Sequence, residues 1–459
     1  MSDLGSIVKA YDVRGTVPDQ LNDGVTRALG AAFVQTLRAA GDRSNAIVTA
    51  HDMRESSPAL AAAFSAGARA EGADVTEAGL GSTDLLYFAS GYLDLPGAMF
   101  TASHNPAQYN GVKLCRAGAK PIGQDTGLAD IRDRAQAIVD GAATLGEPVG
   151  TATRRDLLAD YAAHLRKLVD LAGIRHLRVV VDAGNGMGGY TVPAVLGDTV
   201  LPALPLEIVP LYFELDGSFP NHEANPLEPK NIVDLQQAVV AHSADLGVAF
   251  DGDADRCFVV DADGEPVSPS AITALVATRE LRRHPGGTVI HNLITSRAVP
   301  EIVSEYGGTP VRTRVGHSFI KAEMARTGAV FGGEHSAHYY FRDFWGADTG
   351  MLAAMHVLAA LGGQDKPLAE LVRRFERYHA SGEINTRVSD QQAKLDEVRS
   401  AFPEATVDTL DGLTLEFPDG SWANLRPSNT EPLLRLNVEG RSAERMAQLR
   451  DTVLTIVRG

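Results

Sequence analysis

The stretch Gly97-Ala-Met-Phe-Thr-Ala-Ser-His-Asn-Pro106 sets a short apolar run directly before a small polar loop. Gly97 to Thr101 reads as a buried strand, and Asn105-Pro106 stops its continuation. Ligands of open α/β sheets bind just past the carboxyl ends of strands, so Ser103 would project its hydroxyl, a candidate reacting group, into such a crevice. Read alone, the loop is more readily a polar turn in which Ser103 and His104 cap the next element. The rest of the chain has to decide.

Around this stretch, strand and helix signals alternate up to about residue 150. Val25, Leu29, Phe33 and Leu37 recur at helical spacing in Asp23–Ala40, Ala46–Ala50 reads as a strand, and Ser57–Gly72 is an alanine-rich helix. Such alternation predicts a parallel sheet with helices on its faces. A second unit follows with a helix at Asp156–Leu171 and a strand at Leu177–Val181, leading into Asp182-Ala-Gly-Asn-Gly-Met-Gly-Gly189. Gly184, Gly186 and Gly189 fit the dinucleotide fingerprint G-x-G-x-x-G. Pro193, Pro202, Pro205 and Pro210 downstream suit the second strand of a nucleotide-binding unit poorly, which favours a tight strand-to-helix turn.

The strand Ala244–Phe250 runs straight into Asp251-Gly-Asp-Ala-Asp-Arg256. On extended backbone, Asp251, Asp253 and Asp255 would point to one side, and three crowded carboxylates repel unless a cation sits among them. Hard oxygen ligands suit Mg²⁺, which commonly shares its shell with a phosphate. A calcium loop of EF-hand type fails, because Ala262 stands at its twelfth position; a plain acidic turn stays open. A hairpin signal at Asp263-Gly264 then opens a third region with a strand at Gly287–Leu293, a helix starting in Gly316–Lys321, and a strand at Ala329–Phe331. Glu334, Ser336 and His338 after it could offer a carboxylate, a hydroxyl and an imidazole to a polyol; in isolation the segment reads as a polar loop, and its place past another strand end makes it a candidate sugar site. After the linker-like Gly362–Pro367, short strands separated by Asp411-Gly412 and Pro418-Asp-Gly420 and a closing helix at Ser442–Arg458 predict an antiparallel sheet with helices. Between them, Arg426-Pro-Ser-Asn-Thr-Glu-Pro432 is an anion cradle or a proline-rich turn.

Composition narrows the function classes. The 42 Lys and Arg against 58 Asp and Glu give a formal charge of −16, which argues against nucleic acid or an anionic membrane as partner and requires local basic residues for any anionic ligand. No signal peptide or apolar span is apparent, so the expected location is cytoplasmic. Cys115 and Cys257 are too few for a metal cage or a disulfide framework and read as small buried hydrophobes.

Taken together, Thr101–Pro106, Asp251–Arg256, Gly333–His338 and Arg426–Pro432 follow one another as in the α-D-phosphohexomutase family, which the chain resembles over nearly its whole length. Tyr11–Gly15, Tyr109–Lys113 and Asp216–His222 add to the likeness, and Gly-Glu-His-Ser is closest to the bacterial phosphomannomutase/phosphoglucomutase branch. The resemblance implies three repeated mixed α/β sheet domains, at 1–150, 151–257 and 258–365, and a C-terminal antiparallel α+β domain at 366–459, around a central cleft. It implies that Ser103 carries a phosphoryl group and that Mg²⁺ is held by Asp251, Asp253, Asp255 and the phosphate on Ser103. Arg14, His104, Lys113, Arg256 and His317 match catalytic positions. Tyr11, Glu334 and Ser336 match sugar-binding positions, and Arg426, Ser428, Asn429 and Thr430 the holders of the non-reacting phosphate.

The implied reaction moves a phosphoryl group between C6 and C1 of a hexose phosphate, of mannose and by extension of glucose, with hexose 1,6-bisphosphate as intermediate and activator. No protein partner is implied. A Mg²⁺-dependent sugar phosphatase and an inactive sugar-phosphate binding protein are the alternatives. Where relatives often have Asp-Val-Lys, this chain has Asn292-Leu-Ile294, so a basic substrate contact is missing.

Overall fold

Residues 13–154 build one mixed sheet in the computed structural model, which describes residues 3–428 and 432–459. Its strands are β1 (Val13–Thr16), β2 (Ala46–His51), β3 (Asp74–Leu80), β4 (Gly97–Phe100), β5 (Tyr109–Arg116), β6 (Lys120–Pro121) and β7 (Ala152–Arg154). They lie in the order β1-β5-β4-β2-β3-β7, with β6 beside β5. Helices α1 (Asp23–Ala39), α2 (Ser57–Ala70), α3 (Thr83–Leu93) and α4 (Leu128–Val139) connect them. The expected parallel arrangement holds for β4, β2, β3 and β7, whereas β5 runs antiparallel to both β4 and β1. Residues 101–108 are too few for the crossover of about a dozen that a parallel return requires. The Ser103 loop is therefore a return between adjacent strands. Behind it the rings of Phe33, Phe64 and Phe100 pack in series at 5.7 and 5.4 Å.

The second sheet contains β8 (Leu177–Asp182), β9 (Leu206–Leu211), β10 (Leu246–Phe250), β11 (Cys257–Asp261) and β12 (Pro266–Val267), in the order β12-β11-β10-β8-β9, with α5 (Leu158–Leu168), α6 (Gly188–Val195) and α7 (Val233–Ala241). β8, β9 and β10 are parallel, and β11 folds back antiparallel on β10. The hairpin at Asp263-Gly264, with Gly264 at φ +83°, thus completes this second sheet instead of opening a third. β10 and β11 are buried along their whole length and flank the acidic loop.

Two units divide the chain: residues up to 267 together with 336–369, and residues 268–335 together with 370–459. In the second, β13 (Thr288–Asn292) lies parallel to β14 (Thr309–Thr313) and β15 (Phe331–Gly333), with α8 (Pro269–Arg283), α9 (Ala298–Glu305) and α10 (His317–Thr327). The third-region strand therefore starts at Phe331, where the expected Ala329–Phe331 ends. In the first unit, β16 (Tyr339–Phe341) pairs antiparallel with β17 (Ala347–Asp348) ahead of the buried helix α11 (Gly350–Gly362).

After α12 (Leu368–Val372), the second unit ends in an antiparallel sheet of β18 (His379–Ala380), β19 (Ile384–Arg387), β20 (Thr406–Asp408), β21 (Leu413–Glu416), β22 (Trp422–Pro427) and β23 (Leu433–Gly440), with α13 (Gln391–Ala401) and α14 (Ala443–Arg458). Leu415, Ala423, Leu425, Leu434, Leu436 and Val438 share a core with the two helices. Strand alternation leaves Asn424 and Arg426 on the opposite face. Gly412 and Gly420, at φ +77° and +88°, make the predicted turns.

Candidate active site

Ser103 sits three residues past β4 at φ +49°, in the left-handed region that a side chain rarely occupies. Thr101 Oγ1 accepts from the Ser103 amide at 2.9 Å, and Ser103 Oγ donates to Asp251 Oδ2 at 2.8 Å. The two loops meet backbone to backbone, since a Cβ on Gly252 would lie 2.4 Å from the Ser103 carbonyl oxygen. Only glycine fits there.

Arg54, which no sequence motif singles out, shapes this loop. Its guanidinium donates to the carbonyl oxygens of Ser103, Asn105, Pro106 and Tyr109 at 2.7–3.0 Å, and its Nε lies 3.3 Å from Asp52 Oδ2. Both side chains are essentially inaccessible. The signal was present: Asp52-Met-Arg54 follows β2 as directly as Ser103 follows β4.

The acidic loop is a turn. The Ala254 amide donates to the Asp251 carbonyl and Ala254 takes φ +61°, so the three carboxylates converge through a tight reversal and not, as expected, through extended backbone. All three are buried, with one oxygen from each lying within 4.8 Å of the others. Lys113, on β5, donates to Asp253 Oδ2 at 2.7 Å and to Asp255 Oδ2 at 2.6 Å. Arg256 donates from its amide to Asp251 Oδ1 and from Nε to Asp251 Oδ2, and its Nη2 meets His104 Nδ1 at 2.7 Å.

Charge balance gives each group its state. Burial pushes Asp251 up to about 7, against the pull of Arg256. Burial also opposes the charged forms of Asp253 and Asp255, but Lys113 outweighs it and holds both below the usual carboxylate range. Burial works against Lys113 too, and these aspartates raise its ammonium well above normal. Burial, with Arg256 and Arg14, drives His104 down to about 3.

The donor set fits a hard dication. Asp253 Oδ1 and Asp255 Oδ1 are buried without a hydrogen-bond partner, whereas each Oδ2 is engaged. With Asp251 ionised, the three carboxylates against Lys113 and Arg256 leave one net negative charge in a buried site, which a cation would offset. His338 Nε2 stands 3.6 Å from Asp255 Oδ1, and Ser336 Oγ hydrogen-bonds His338 Nδ1 at 3.0 Å. Arg14 Nη1 donates to Asn105 Oδ1 at 2.5 Å, and Tyr11 is half-buried just ahead of β1.

The glycine-rich turn at Asp182–Gly189 supports the acidic loop. Met187 N donates to the Gly252 carbonyl, Asn185 N to Tyr212 and Gly186 N to Ala183, so these amides are spent within the protein and none remains as a phosphate cradle. A Cβ on Gly186 would lie 2.7 Å from the Gly252 oxygen.

In the second unit, Glu334 Oε1 accepts from Asn292 Nδ2 at 3.2 Å and from the Gly316 amide at 3.3 Å, beside His317 at the start of α10. Ile294 packs with Leu293, Val315 and Trp422, so an apolar contact occupies the position where a basic residue was expected. Arg426 is 8% exposed; its Nη2 reaches Glu383 at 3.3 Å and its Nη1 has no hydrogen-bond partner. The Ser428 amide donates to the Leu433 carbonyl. Asn429 and Thr430 lie outside the described residues.

The sequence matches the family described as phosphoglucomutase/phosphomannomutase through all four of its domains: α/β/α domain I at residues 5–140, II at 159–264, III at 268–378 and the C-terminal domain at 383–456. The chain belongs to this family. A Xanthomonas campestris protein named phosphohexose mutases is 41% identical over 98% of this chain and 99% of its own length. A Salmonella montevideo phosphomannomutase is 40% identical over 94% of each chain. A phosphoglucomutase/phosphomannomutase family protein of Burkholderia thailandensis superposes with a TM-score of 0.87 at 33% identity, covering 100% of this chain and 98% of that one. As a phosphohexomutase-family member, the chain has three α/β domains and a C-terminal one, and its general chemistry is intramolecular phosphoryl transfer on a hexose phosphate. Among the described residues, no helix is long and apolar enough to cross a membrane.

Proposed function

We propose that the protein interconverts hexose 6-phosphates and hexose 1-phosphates, of mannose and of glucose, with Ser103 as the phosphoryl carrier and hexose 1,6-bisphosphate as intermediate and activator. The observation that carries this reading is the Ser103 hydroxyl held 2.8 Å from Asp251, beside buried oxygens of Asp253 and Asp255 that have no hydrogen-bond partner. The names of the relatives support the choice of sugars.

Asp251, Asp253, Asp255 and a phosphate oxygen on Ser103 would hold Mg²⁺, which when bound supplies charge neutralisation for the transferring group. The substrate hydroxyl forms a bond to phosphorus as the bond from phosphorus to Ser103 Oγ breaks, and the hydroxyl proton passes to a base. In the second half the other phosphate of the bisphosphate returns to Ser103. Lys113 and Arg256 stay cationic throughout and steady the charge on the acidic loop, and Arg14 faces the serine loop through Asn105. His104 and Lys113 stand at the serine and acidic loops, and with His317 they are the candidates for the group that takes the hydroxyl proton. Glu334 and Ser336 would bind sugar hydroxyls, and Arg426, Ser428, Asn429 and Thr430 the phosphate that is not reacting.

Intact mass of active protein should include a species one phosphate heavier, absent in Ser103→Ala, which should lose turnover of both mannose 1-phosphate and glucose 1-phosphate in coupled assays. Full activity of that variant, or steady release of inorganic phosphate in place of isomerised product, would refute the mutase reading and favour a phosphatase in the second case.

A further inference from the structure

We propose that Thr83, the first residue of α3, is a positioning residue that presents Asp253 to the cation. Thr83 lies 170 residues from Asp253 in the chain, is fully buried, and grips it at two points. Its amide donates to the Asp253 carbonyl oxygen at 3.0 Å and its Oγ1 to Asp253 Oδ2 at 2.6 Å. Oδ2 is thereby shared between Thr83 and Lys113, and the carboxylate is turned so that Oδ1, the buried oxygen with no partner, is the one left for a metal. A carboxylate free to rotate would present either oxygen and lose the geometry that octahedral Mg²⁺ demands.

Thr83 is itself held. The neighbouring Asp84, 1% exposed, accepts from Ser82 Oγ, from Tyr161 OH at 2.7 Å and from Thr349 Oγ1 at 2.6 Å, tying the first turn of α3 to α5 and to the start of α11. Ser82 caps the same turn through the Leu85 amide. The orientation of Asp253 thus depends on a helix start in the first sheet domain, fastened by three hydroxyls to one buried carboxylate.

The inference rests on the aspartate triad being the cation site, and the test separates the two. Calorimetric Mg²⁺ titration of the full-length protein should show affinity weakened roughly 10- to 100-fold in Thr83→Val, which keeps the shape and removes the hydroxyl. Thr83→Ser, which restores the donor, should recover it to within about threefold. Turnover by Thr83→Val should recover at high Mg²⁺ with KM for hexose phosphate unchanged, a split that a merely structural role would not produce. Thr83→Ala carries the same expectation should the valine variant fold poorly. If Asp253→Asn weakens Mg²⁺ binding but the valine and alanine variants bind as the wild type does, or if Thr83→Ser is as defective as Thr83→Val, Thr83 has no positioning role. If Asp253→Asn itself leaves Mg²⁺ affinity unchanged, the triad is not the cation site and both readings fall.

Discussion

Arg54→Met should loosen the serine loop without touching a group proposed to react. The methionine keeps most of the apolar stem and removes the guanidinium that joins four carbonyl oxygens of residues 103–109 to Asp52. Burial disfavours the charge on Arg54 and Asp52 offsets part of that cost, so the pair is mutually dependent. Removing one partner of a buried ion pair costs about 3–5 kcal/mol, because the other is left uncompensated in a dry site. At 1.4 kcal/mol per tenfold, opening of the loop should become roughly a hundred- to a few thousandfold more frequent. Hydrogen exchange followed by mass spectrometry on the peptide covering residues 101–110 reads this directly, through the amides of Ser103 and Asn105 that are now bonded within the loop. The extent of phosphorylation at Ser103 should fall in parallel. An increase in exchange of less than about tenfold, with phosphorylation intact, would mean that the loop holds its left-handed serine without the guanidinium, and the account of Arg54 as its splint would be wrong.

Asp84 makes a pH-dependent prediction. Burial raises its carboxyl from 3.8 to about 6, so the folded state binds the proton more tightly than the unfolded chain and stability is lost as pH rises from about 4 to about 6, by about 3 kcal/mol. Asp84→Asn has no proton to lose, so the gap between the melting curves of variant and wild type should shift by several degrees in the variant's favour between pH 4 and pH 7. Parallel pH dependences would refute the raised carboxyl. Arg426→Ala should raise KM ten- to a hundredfold and release more hexose 1,6-bisphosphate per turnover, since a charge-assisted contact of about 1.5–3 kcal/mol would be lost. Unchanged KM and leakage would return that turn to a structural part.

The strand-end loops were legible because buried strands leave apolar runs and loops leave glycine, proline and polar residues, a contrast that survives without coordinates. Ser103 and the aspartate triad, past the ends of β4 and β10, were singled out that way, and so was the segment from Arg426, whose first two residues the structure places at the end of β22. The error over the acidic loop has the same origin. A two-residue period in Asp251, Asp253 and Asp255 is compatible with strand or turn, and the positive φ of Ala254, with its amide bonded back to the Asp251 carbonyl, leaves no mark in the residue types. The hairpin at Gly264 was recognised as a hairpin, but which sheet it would join depended on pairing with β10.

By itself the sequence determined the alternation of strands and helices, the antiparallel character of the last domain and the residue types gathered at four loops, since these depend on local periodicity and turn chemistry. Only the tertiary structure decided which oxygens of Asp253 and Asp255 are left without a hydrogen bond, why Lys113 remains charged, and that Arg54 and Thr83 serve loops 49 and 170 residues away. The physical reason is that desolvation and hydrogen-bond geometry belong to a place in space. A buried threonine hydroxyl has the same letter wherever it points, and a carboxylate learns its charge state from neighbours that the chain brings to it only on folding.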